Sequence, residues 1–333
     1  MHYNAHILAQ KRTCLRDVLP LDTPFTLLIE VSRLCNFKCR FCPQSQEDKF
    51  LFFDKNLLSI EDFKEILSQL HDFPQKIKKV YMHGTGESLL NPELPEMIRL
   101  LKQSGTTESI DLTSNGALLT KELGENLVDA GLDHLHISVE ALSSEKYREI
   151  TGVSSVDFDQ FTDKIRTFSA QRGKCRLTIK AAQSSLEEEG DDRKFLELFS
   201  PLCDEIFVEQ IYPIWPNFQP PESVCSKAGE AGQYGQTVEE KRICPQIFTV
   251  LAIKCDGSVS PCSVDWANQV NLGNIHEMRL KQIWEGEQLR QLRRLQLSYG
   301  RASDPYCASC GLPKYSCVDN LDAFALELLQ KIM

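Results

Sequence analysis

Three cysteines in one short stretch, Cys35, Cys39 and Cys42, carry the strongest chemical signal in the sequence. Their C-x3-C-x2-C spacing lets three thiols from a single loop converge on one metal centre. A structural zinc site or an ordinary [4Fe–4S] cluster takes four protein ligands. Three thiolates leave one iron of a [4Fe–4S] cluster open, and an open iron can hold a substrate or a cofactor. A zinc loop with a distant fourth ligand is the alternative.

A second group of thiols lies toward the carboxyl end, where the last six of the 13 cysteines fall between residues 244 and 317. The amino terminus has no apolar signal-peptide core, so we expect a reducing compartment that keeps thiols available as metal ligands. The C-x2-C pair of Cys307 and Cys310 also suits a four-cysteine zinc site. Both groups of thiols therefore predict metal centres.

The elements that must position these thiols alternate between strand-like and helical patterns. Strand-like runs are predicted at residues 26–31, 79–83, 110–113, 134–139, 175–181 and 205–209. Helical patterns lie between them, at residues 60–70, 93–103, 121–130, 144–150, 158–169 and 192–199. Six strands alternating with helices imply a parallel sheet that right-handed crossovers curl toward a barrel. The first cysteine loop follows the first strand, so chemistry is expected at the carboxyl ends of the strands.

Composition narrows the classes of function that remain. The 333 residues carry a formal net charge of −10, and the estimated pI is 5.3. No general electrostatic attraction to nucleic acid or to an anionic membrane is therefore expected. The apolar runs are too short for a transmembrane helix of about 20 residues. We expect a cytoplasmic protein with no membrane partner.

The three-cysteine loop, with Phe41 directly before the third cysteine, resembles the radical S-adenosylmethionine (SAM) superfamily. The resemblance covers roughly residues 25–317 and implies an α/β fold, an open (β/α)6 partial barrel. It also implies that the open iron chelates the amino and carboxylate groups of SAM. One electron from the cluster would then split SAM to methionine and a 5′-deoxyadenosyl radical, which takes a hydrogen atom from an unactivated carbon. Phe41 is expected beside this cofactor.

The same resemblance assigns a SAM-binding role to Gly84, Gly86 and Glu87, which follow the second strand. They match the family's Gly-Gly-Glu-type motif for the SAM amino group, although Thr85 replaces its usual middle residue. Glycine allows a backbone to approach a ligand closely. Taken alone, the motif could equally be a tight strand-to-helix turn with a solvated glutamate.

Three further strand ends supply candidate contacts. Ser114 and Asn115 end the third strand at a position that the family uses against the SAM ribose, although a plain Asn-Gly turn is the alternative. Ser138 and Glu140 share one face of the fourth strand, and the resemblance places both near SAM. Lys180 stands among apolar residues of the fifth strand and needs a partner or a cavity there. It is expected to contact SAM or substrate, unless it reaches the surface as an ordinary lysine.

The carboxyl-terminal thiols are similar in layout to a twitch domain, a short form of the SPASM auxiliary-cluster domain. Asp256 and Gly257 between two β-rich runs predict a hairpin, followed by a helix over residues 280–297. The resemblance implies one further [4Fe–4S] cluster, held by Cys244, Cys262, Cys307 and Cys310. Two other cysteines could replace a ligand and rank behind these four: Cys255 and Cys317.

The predicted domains are an amino-terminal extension at 1–24, a barrel at 25–210, a linker at 211–240, an auxiliary-cluster domain at 241–318 and a terminal helix at 319–333. About 25 residues before the barrel are too few for a peptide-recognition domain. We therefore expect dehydrogenation of a small carbohydrate, cyclitol or nucleoside, with the auxiliary cluster accepting an electron. A flavodoxin- or ferredoxin-type electron donor is the expected partner.

The base for this oxidation is expected among four residues: Lys180, Glu209, Asp265 and Arg176.

Three alternative functions stay open at this point. The chain could be a maturase of ribosomally made peptides, or it could form carbon–carbon bonds or epimerise a sugar nucleotide. It could also be a non-catalytic iron–sulfur or zinc-binding module.

Overall fold

The computed structural model describes residues 13–46, 56–226, 229 and 231–332. Parts of the predicted amino-terminal extension (1–24), of the linker (211–240) and of the terminal helix (319–333) lie outside the described residues. The strands are β1 (Thr26–Ile29), β2 (Lys79–Tyr81), β3 (Ile110–Ser114), β4 (His134–Val139), β5 (Arg176–Ala182), β6 (Glu205–Glu209), β7 (Val250–Ile253), β8 (Ser258–Ser260) and β9 (Gly273–Asn274).

Helices connect the strands and cover one face of the sheet. They are α1 (Leu15–Val18), α2 (Ile60–Leu70), α3 (Leu94–Ser104), α4 (Lys121–Asp129), α5 (Ser144–Thr151), α6 (Phe158–Gln171), α7 (Asp191–Phe199), α8 (Leu280–Trp284), α9 (Glu287–Tyr299), α10 (Pro305–Ala308), α11 (Leu312–Tyr315) and α12 (Ala325–Ile332). Local sequence explains several boundaries. The hydroxyl of Ser59 accepts from the Asp62 amide at the start of α2, and Gly105 ends α3 with a left-handed φ of 64°.

The sheet has the strand order β6-β5-β4-β3-β2-β1-β7-β8-β9. Strands β1 to β6 are parallel, which confirms the predicted α/β partial barrel. Strand β7 pairs with β1 in parallel, with Thr26 opposite Val250, so the predicted hairpin continues the sheet of the barrel. The hairpin itself is confirmed, because Ala252 pairs with Ser260 in antiparallel β7 and β8.

Alternation along the strands divides the side chains between two faces. Residues such as Leu27, Leu112 and Leu177 belong to the main apolar core with the helices. Their neighbours in sequence point to the opposite face, which we call the inner face. It carries polar and titratable side chains, including Asp111 and Lys180.

The predicted helix over 280–297 is two helices, α8 and α9, which are separated at Glu285 and Gly286. A Cβ on Gly286 would lie 2.8 Å from the Gln282 carbonyl oxygen, so this tight turn needs glycine. Helices α9, α12 and α1 share a second apolar cluster that includes Leu15 and Leu328. In the part of the chain that the structure describes, no helix combines the length and apolarity needed to cross a bilayer.

Candidate active site

The three-cysteine loop lies at the carboxyl end of β1, where the sequence places it. Cys39 is buried, whereas Cys35 and Cys42 are partly exposed. Between them Phe37 is 1% exposed and packs edge-on against Tyr147 of α5, with the ring centroids 6.2 Å apart. This aromatic anchor holds the loop against the barrel and leaves two thiols accessible.

Backbone contacts fix the loop from two sides. The amides of Lys38 and Arg40 donate to the carbonyls of Thr151 and Ile150 at the end of α5. The amide of Phe37 donates to the Cys35 sulfur at 3.4 Å, which stabilises negative charge on that sulfur. Three thiols on a fixed loop fit the ligand set of a [4Fe–4S] cluster that keeps one iron open.

Gly84 and Gly86 let the loop after β2 approach the cysteine loop closely. A Cβ on Gly86 would lie 2.4 Å from the Ser32 carbonyl oxygen and 2.5 Å from that of Leu34. A Cβ on Gly84 would lie 2.4 Å from the side chain of Glu30. Since no other residue fits, these glycines fix the distance between the two loops.

Glu87 is buried, and its carboxylate is already engaged within the protein. It accepts from the Ser114 hydroxyl at 2.8 Å, the Asn115 amide at 2.8 Å and the Leu89 amide at 2.9 Å. Burial raises the pKa of Glu87, although these donors oppose the rise. Glu87 and Ser114 therefore join the loops after β2 and β3 to each other.

Two other predicted SAM contacts lie against the cysteine loop. The Asn115 side-chain amide donates to the Asn36 side chain at 2.8 Å. Phe41 packs, partly exposed, against the main core. The predicted contacts from the loops after β1, β2 and β3 thus adjoin the three thiols.

An ion pair occupies the inner face near the strand ends. The Lys180 ammonium of β5 lies 2.8 Å from the Glu209 carboxylate of β6, and Ser138 is the residue opposite Lys180 on β4. Glu140 follows β4 and is 7% exposed. Burial raises the pKa of Glu140 to about 7, with Glu209 adding to the rise and Lys180 opposing it. The structure therefore gathers Lys180, Glu209 and Glu140 in one place.

A second polar group lies deeper on the inner face, around Asp111. One carboxylate oxygen, Oδ2, lies 3.4 Å from His134 Nδ1 and 3.2 Å from His136 Nε2. Burial alone would raise the pKa of Asp111, but hydrogen bonds from both histidines and the Lys79 ammonium at 3.1 Å hold it below its usual range. Spacing alone would suit a metal ion, yet Lys79 already neutralises the carboxylate.

Burial also favours the neutral form of two histidines on the inner face, His83 and His136. It lowers the pKa of His136 to about 4, with His134 contributing and Asp111 opposing. It lowers the pKa of His83 to about 4 as well, aided by the neighbouring His136.

Two of the candidate bases lie elsewhere. Asp265 is fully buried, and it accepts from the Ser260 hydroxyl and from the amides of Gln269 and Val270 at 2.8 to 3.0 Å. These bonds hold the loop after β8, and none of them reaches the Lys180–Glu209 pair. Arg176 begins β5, at the opposite end of the strand from the cysteine loop, and pairs with Glu205. These contacts set both residues apart from the Lys180–Glu209 pair, and the assignment of the base stays a prediction.

The four carboxyl-terminal cysteines line one shared cavity together with apolar side chains. The thiols are those of Cys244, Cys262, Cys307 and Cys310. Burial raises the pKa of each, that of Cys310 to about 12. Such thiols ionise readily only with a metal or cluster bound. The donor set therefore fits a fully coordinated [4Fe–4S] cluster.

The two cysteines that rank behind these four, Cys255 and Cys317, lie in different surroundings. Cys255 donates to the Glu30 carbonyl at 3.1 Å, which places it beside β1 and outside the cavity. Cys317 is buried and packs in the same small apolar cluster as Cys310.

Sequence reasoning missed the residues around this cavity. Gln296 of α9 accepts from the Cys244 amide at 2.9 Å and donates to the Cys307 sulfur at 3.6 Å. Arg301 donates to the carbonyls of Cys307 and Cys310 at 2.6 and 2.9 Å. Neither residue belongs to a recognisable motif, so only the helix preceding the C-x2-C pair could have directed attention to them.

Comparisons with known proteins agree with this geometry. The sequence profile of the radical SAM superfamily matches residues 29–179, and that of an iron–sulfur cluster-binding domain, SPASM, matches residues 244–311. A "Probable GTP 3′,8-cyclase" of Saccharolobus solfataricus is 34% identical over 190 residues, 56% of this chain and 57% of the relative. One of Metallosphaera sedula is 35% identical over 131 residues, 39% of each chain. The match thus spans 57% of the length of the first relative and 39% of the second.

Three solved structures share the fold at low sequence identity. BtrN in complex with AdoMet and 2-DOIA has a TM-score of 0.57 at 18% identity, over 86% of this chain and 93% of that one. Streptococcus suis SuiB bound to precursor peptide SuiA has a TM-score of 0.65 at 19% identity, over 90% and 72%. The enzyme anSMEcpe with bound AdoMet has a TM-score of 0.63 at 14% identity, over 93% of each chain.

Proposed function

This chain is a radical SAM enzyme with an iron–sulfur cluster-binding domain toward its carboxyl end, and we propose that it dehydrogenates a small hydroxylated substrate. Its cofactors are SAM and [4Fe–4S] clusters. The proposed substrate class is a carbohydrate, a cyclitol or a nucleoside. We assign Cys35, Cys39 and Cys42 to the first cluster.

When bound, the first cluster and SAM together supply a 5′-deoxyadenosyl radical that can remove a hydrogen atom from an unactivated carbon. The protein must hold the substrate C–H bond beside that radical and keep water away. In the proposal the loops of Gly84, Gly86 and Asn115 surround SAM. The inner face of the sheet then holds the substrate next to SAM, and Ser138 and Glu140 lie between the SAM site and the substrate site.

The observation that carries dehydrogenation is the second thiol set. Four cysteines around one cavity saturate a cluster, so no iron is left to bind a substrate. Bound there, a cluster supplies a one-electron acceptor. A secondary alcohol that has lost a hydrogen atom must still lose one proton and one electron to become a ketone, and such an acceptor takes the electron.

The proposed proton acceptor is the pair of Lys180 and Glu209. Both side chains lie at the carboxyl ends of neighbouring strands, the end at which the cysteine loop stands. The Gln233 side chain also reaches the Glu209 carboxylate, at 3.4 Å. Glu209 is thereby oriented for a substrate hydroxyl, and Lys180 stabilises its charge.

The charges of the inner face help to choose between alternative classes of substrate. Lys79 and Lys180 are each paired with a carboxylate, Asp111 and Glu209. Paired lysines disfavour a triphosphate, the substrate type of the enzyme named in the curated relatives. Modification of a peptide is the second candidate, which the likeness to peptide-bound SuiB favours.

The test uses anaerobically reconstituted enzyme with dithionite, SAM and a panel of deuterated polyols, nucleosides and peptides. The proposal expects deuterium to appear in 5′-deoxyadenosine together with a ketone product. Replacement of Cys35, Cys39 and Cys42 by alanine should abolish SAM cleavage. Replacement of Cys307 and Cys310 should spare some cleavage and stop product formation. Ketone formation by the second variant would contradict the acceptor role.

Metal content separates this proposal from a non-catalytic module. Two clusters give about eight irons per chain. About four irons with bound zinc would instead support a zinc site at the carboxyl-terminal cysteines.

A further inference from the structure

Lys241 is a buried cation three residues before Cys244, and its charge acts on the nearby thiol of Cys317, which packs with Cys310. The side chain of Lys241 is only 1% exposed. The ammonium contacts the Glu239 carbonyl at 3.4 Å and the Glu239 carboxylate at 3.8 Å, and that carboxylate is 54% exposed. A long contact to a solvated carboxylate compensates a buried charge poorly. The polypeptide alone therefore leaves most of the Lys241 charge unbalanced.

Arg301 adds a second positive charge and lines the cavity itself. Its guanidinium donates to three main-chain carbonyls, those of Cys307, Cys310 and Lys241, at 2.6 to 3.0 Å. These acceptors are neutral. Among the ion pairs that the structure describes, none involves Arg301. The bond to the Lys241 carbonyl also ties the two cations into one structural group.

Gln296 completes this group from the helix side. Its side chain is fully buried and bridges two of the four cysteines, accepting from the Cys244 amide and donating to the Cys307 sulfur. A hydrogen bond to a cluster sulfur stabilises the electron-rich state of a cluster. The buried Gln296 amide thus already points a donor at one of the four sulfur ligands.

A [4Fe–4S] cluster with four thiolates is a net anion, and its negative charge grows by one when it is reduced. Buried cations and sulfur hydrogen bonds favour the reduced state and so raise the reduction potential. The same anion would balance the charges of Lys241 and Arg301. An anionic cluster would thus account for the two buried cations, and the cations would stabilise that cluster.

We propose that Lys241, Arg301 and Gln296 form the charge-compensating shell of the second cluster and raise its reduction potential, so that it accepts electrons from substrate. This rests on the proposed function insofar as the four cysteines must hold a cluster. A cluster held there would take the one electron that the substrate radical loses, while the base would take the proton and a ketone would remain. A flavodoxin- or ferredoxin-type carrier would then take the electron from the cluster.

The test is a redox titration of the reconstituted holoenzyme without substrate, followed by electron paramagnetic resonance. SAM perturbs the signal of the first cluster only, which separates the two clusters. Lys241→Met should lower the midpoint potential of the second cluster, and Lys241→Arg should restore it. Adding Arg301→Gln to Lys241→Met should lower it further. The control, Lys331→Gln, removes an exposed charge that pairs with Glu327 and should leave the potential unchanged.

An unchanged potential in Lys241→Met at full iron content would overturn the proposal. Loss of the cluster in Lys241→Met that Lys241→Arg repairs would support it, because charge is then what the site requires. Loss in both variants would overturn it. The proposed function fails separately, when the wild type binds zinc at this site or forms no ketone.

Discussion

At the scale of the residue, the ion pair of Lys180 and Glu209 is the proposed proton acceptor. The sequence singles out each of them as a candidate base, and the structure joins them at 2.8 Å. Glu209→Gln should reduce ketone formation by at least about 100-fold, because a positioned general base contributes about 10²–10⁴-fold. Cleavage of SAM should continue, so the ratio of 5′-deoxyadenosine to ketone should rise.

The matched control is Glu205→Gln, four residues earlier on the same strand, where the carboxylate pairs with Arg176 away from the cysteine loop. It should leave the ratio near that of the wild type. Equal losses in the two variants would show that strand β6 tolerates neither change and that Glu209 has no special role.

The variant Gly86→Ala tests how closely the loop after β2 must approach the cysteine loop. The substitution places a methyl group within 2.6 Å of backbone atoms of residues 32–34, which cannot move without displacing the cysteine loop. Gly86→Ala should therefore lower iron from about eight toward about four per chain. The measurement is iron and sulfide content with the SAM-dependent resonance signal.

Gly105→Ala provides the comparison. Open space surrounds this position, and only its left-handed φ of 64° opposes a side chain. It should cost about 1 kcal/mol of stability and no iron. Full iron content in Gly86→Ala would show that the loops can separate without losing the cluster.

At the scale of elements, one buried ion pair links β1 to two loops. Glu30 pairs with Arg33 at 3.0 Å and accepts from Thr85, while Arg33 reaches the Trp266 carbonyl at 3.3 Å. Burial alone would raise the pKa of Glu30, but Arg33 and Lys254 hold it low. Glu30→Gln should lower the free energy of unfolding by about 3 kcal/mol, because it strands a buried guanidinium.

Denaturant titration of the holoenzyme measures this effect. Asp163→Asn breaks the exposed pair with Arg166 and should change stability by less than about 1 kcal/mol. If Glu30→Gln were as mild, solvent or the Trp266 carbonyl would have to satisfy Arg33.

The sequence was sufficient to predict the strands and helices whose signals lie in neighbouring residues. The six strands and most helices lie within a few residues of their predicted bounds, because alternation and caps are written in neighbouring residues. It failed where distant segments decide. The pairing of Thr26 with Val250 joins residues far apart in the chain. The missed break at Gly286 is a different case, because it is a local turn inside a run of helical periodicity. The thiol sets were visible from spacing, whereas Lys241, Gln296 and Arg301 belong to no motif.

The protonation of the inner face affects the whole molecule. His83 and His136 have unfolded pKa values near 6.5 and folded pKa values of about 4. At these two groups the unfolded chain binds more protons between these values, so the stability that the two histidines contribute is full above about pH 6.5 and is lost as the pH falls toward 4. At about pH 5.5 the loss should be about 1 kcal/mol for each histidine.

Thermal unfolding at several pH values tests this decline. The Glu140 carboxyl, with its pKa raised to about 7, acts in the opposite direction between about pH 4.5 and 7, because there the folded state binds more protons than the unfolded chain. The double variant His83→Gln, His136→Gln should therefore lose the part of the acid-side decline that the histidines cause and keep the opposing part from Glu140. An identical dependence would assign the decline to other groups.

The parallel pairing of β7 with β1 has a consequence for biosynthesis. One edge of β1 receives its neighbour only after the ribosome has added residues 250–253. Until then, the nascent barrel presents an open row of amides and carbonyls, the kind of edge at which chains aggregate. The carboxyl-terminal segment therefore acts as a late closing strand, and prematurely terminated chains should be held by chaperones or degraded.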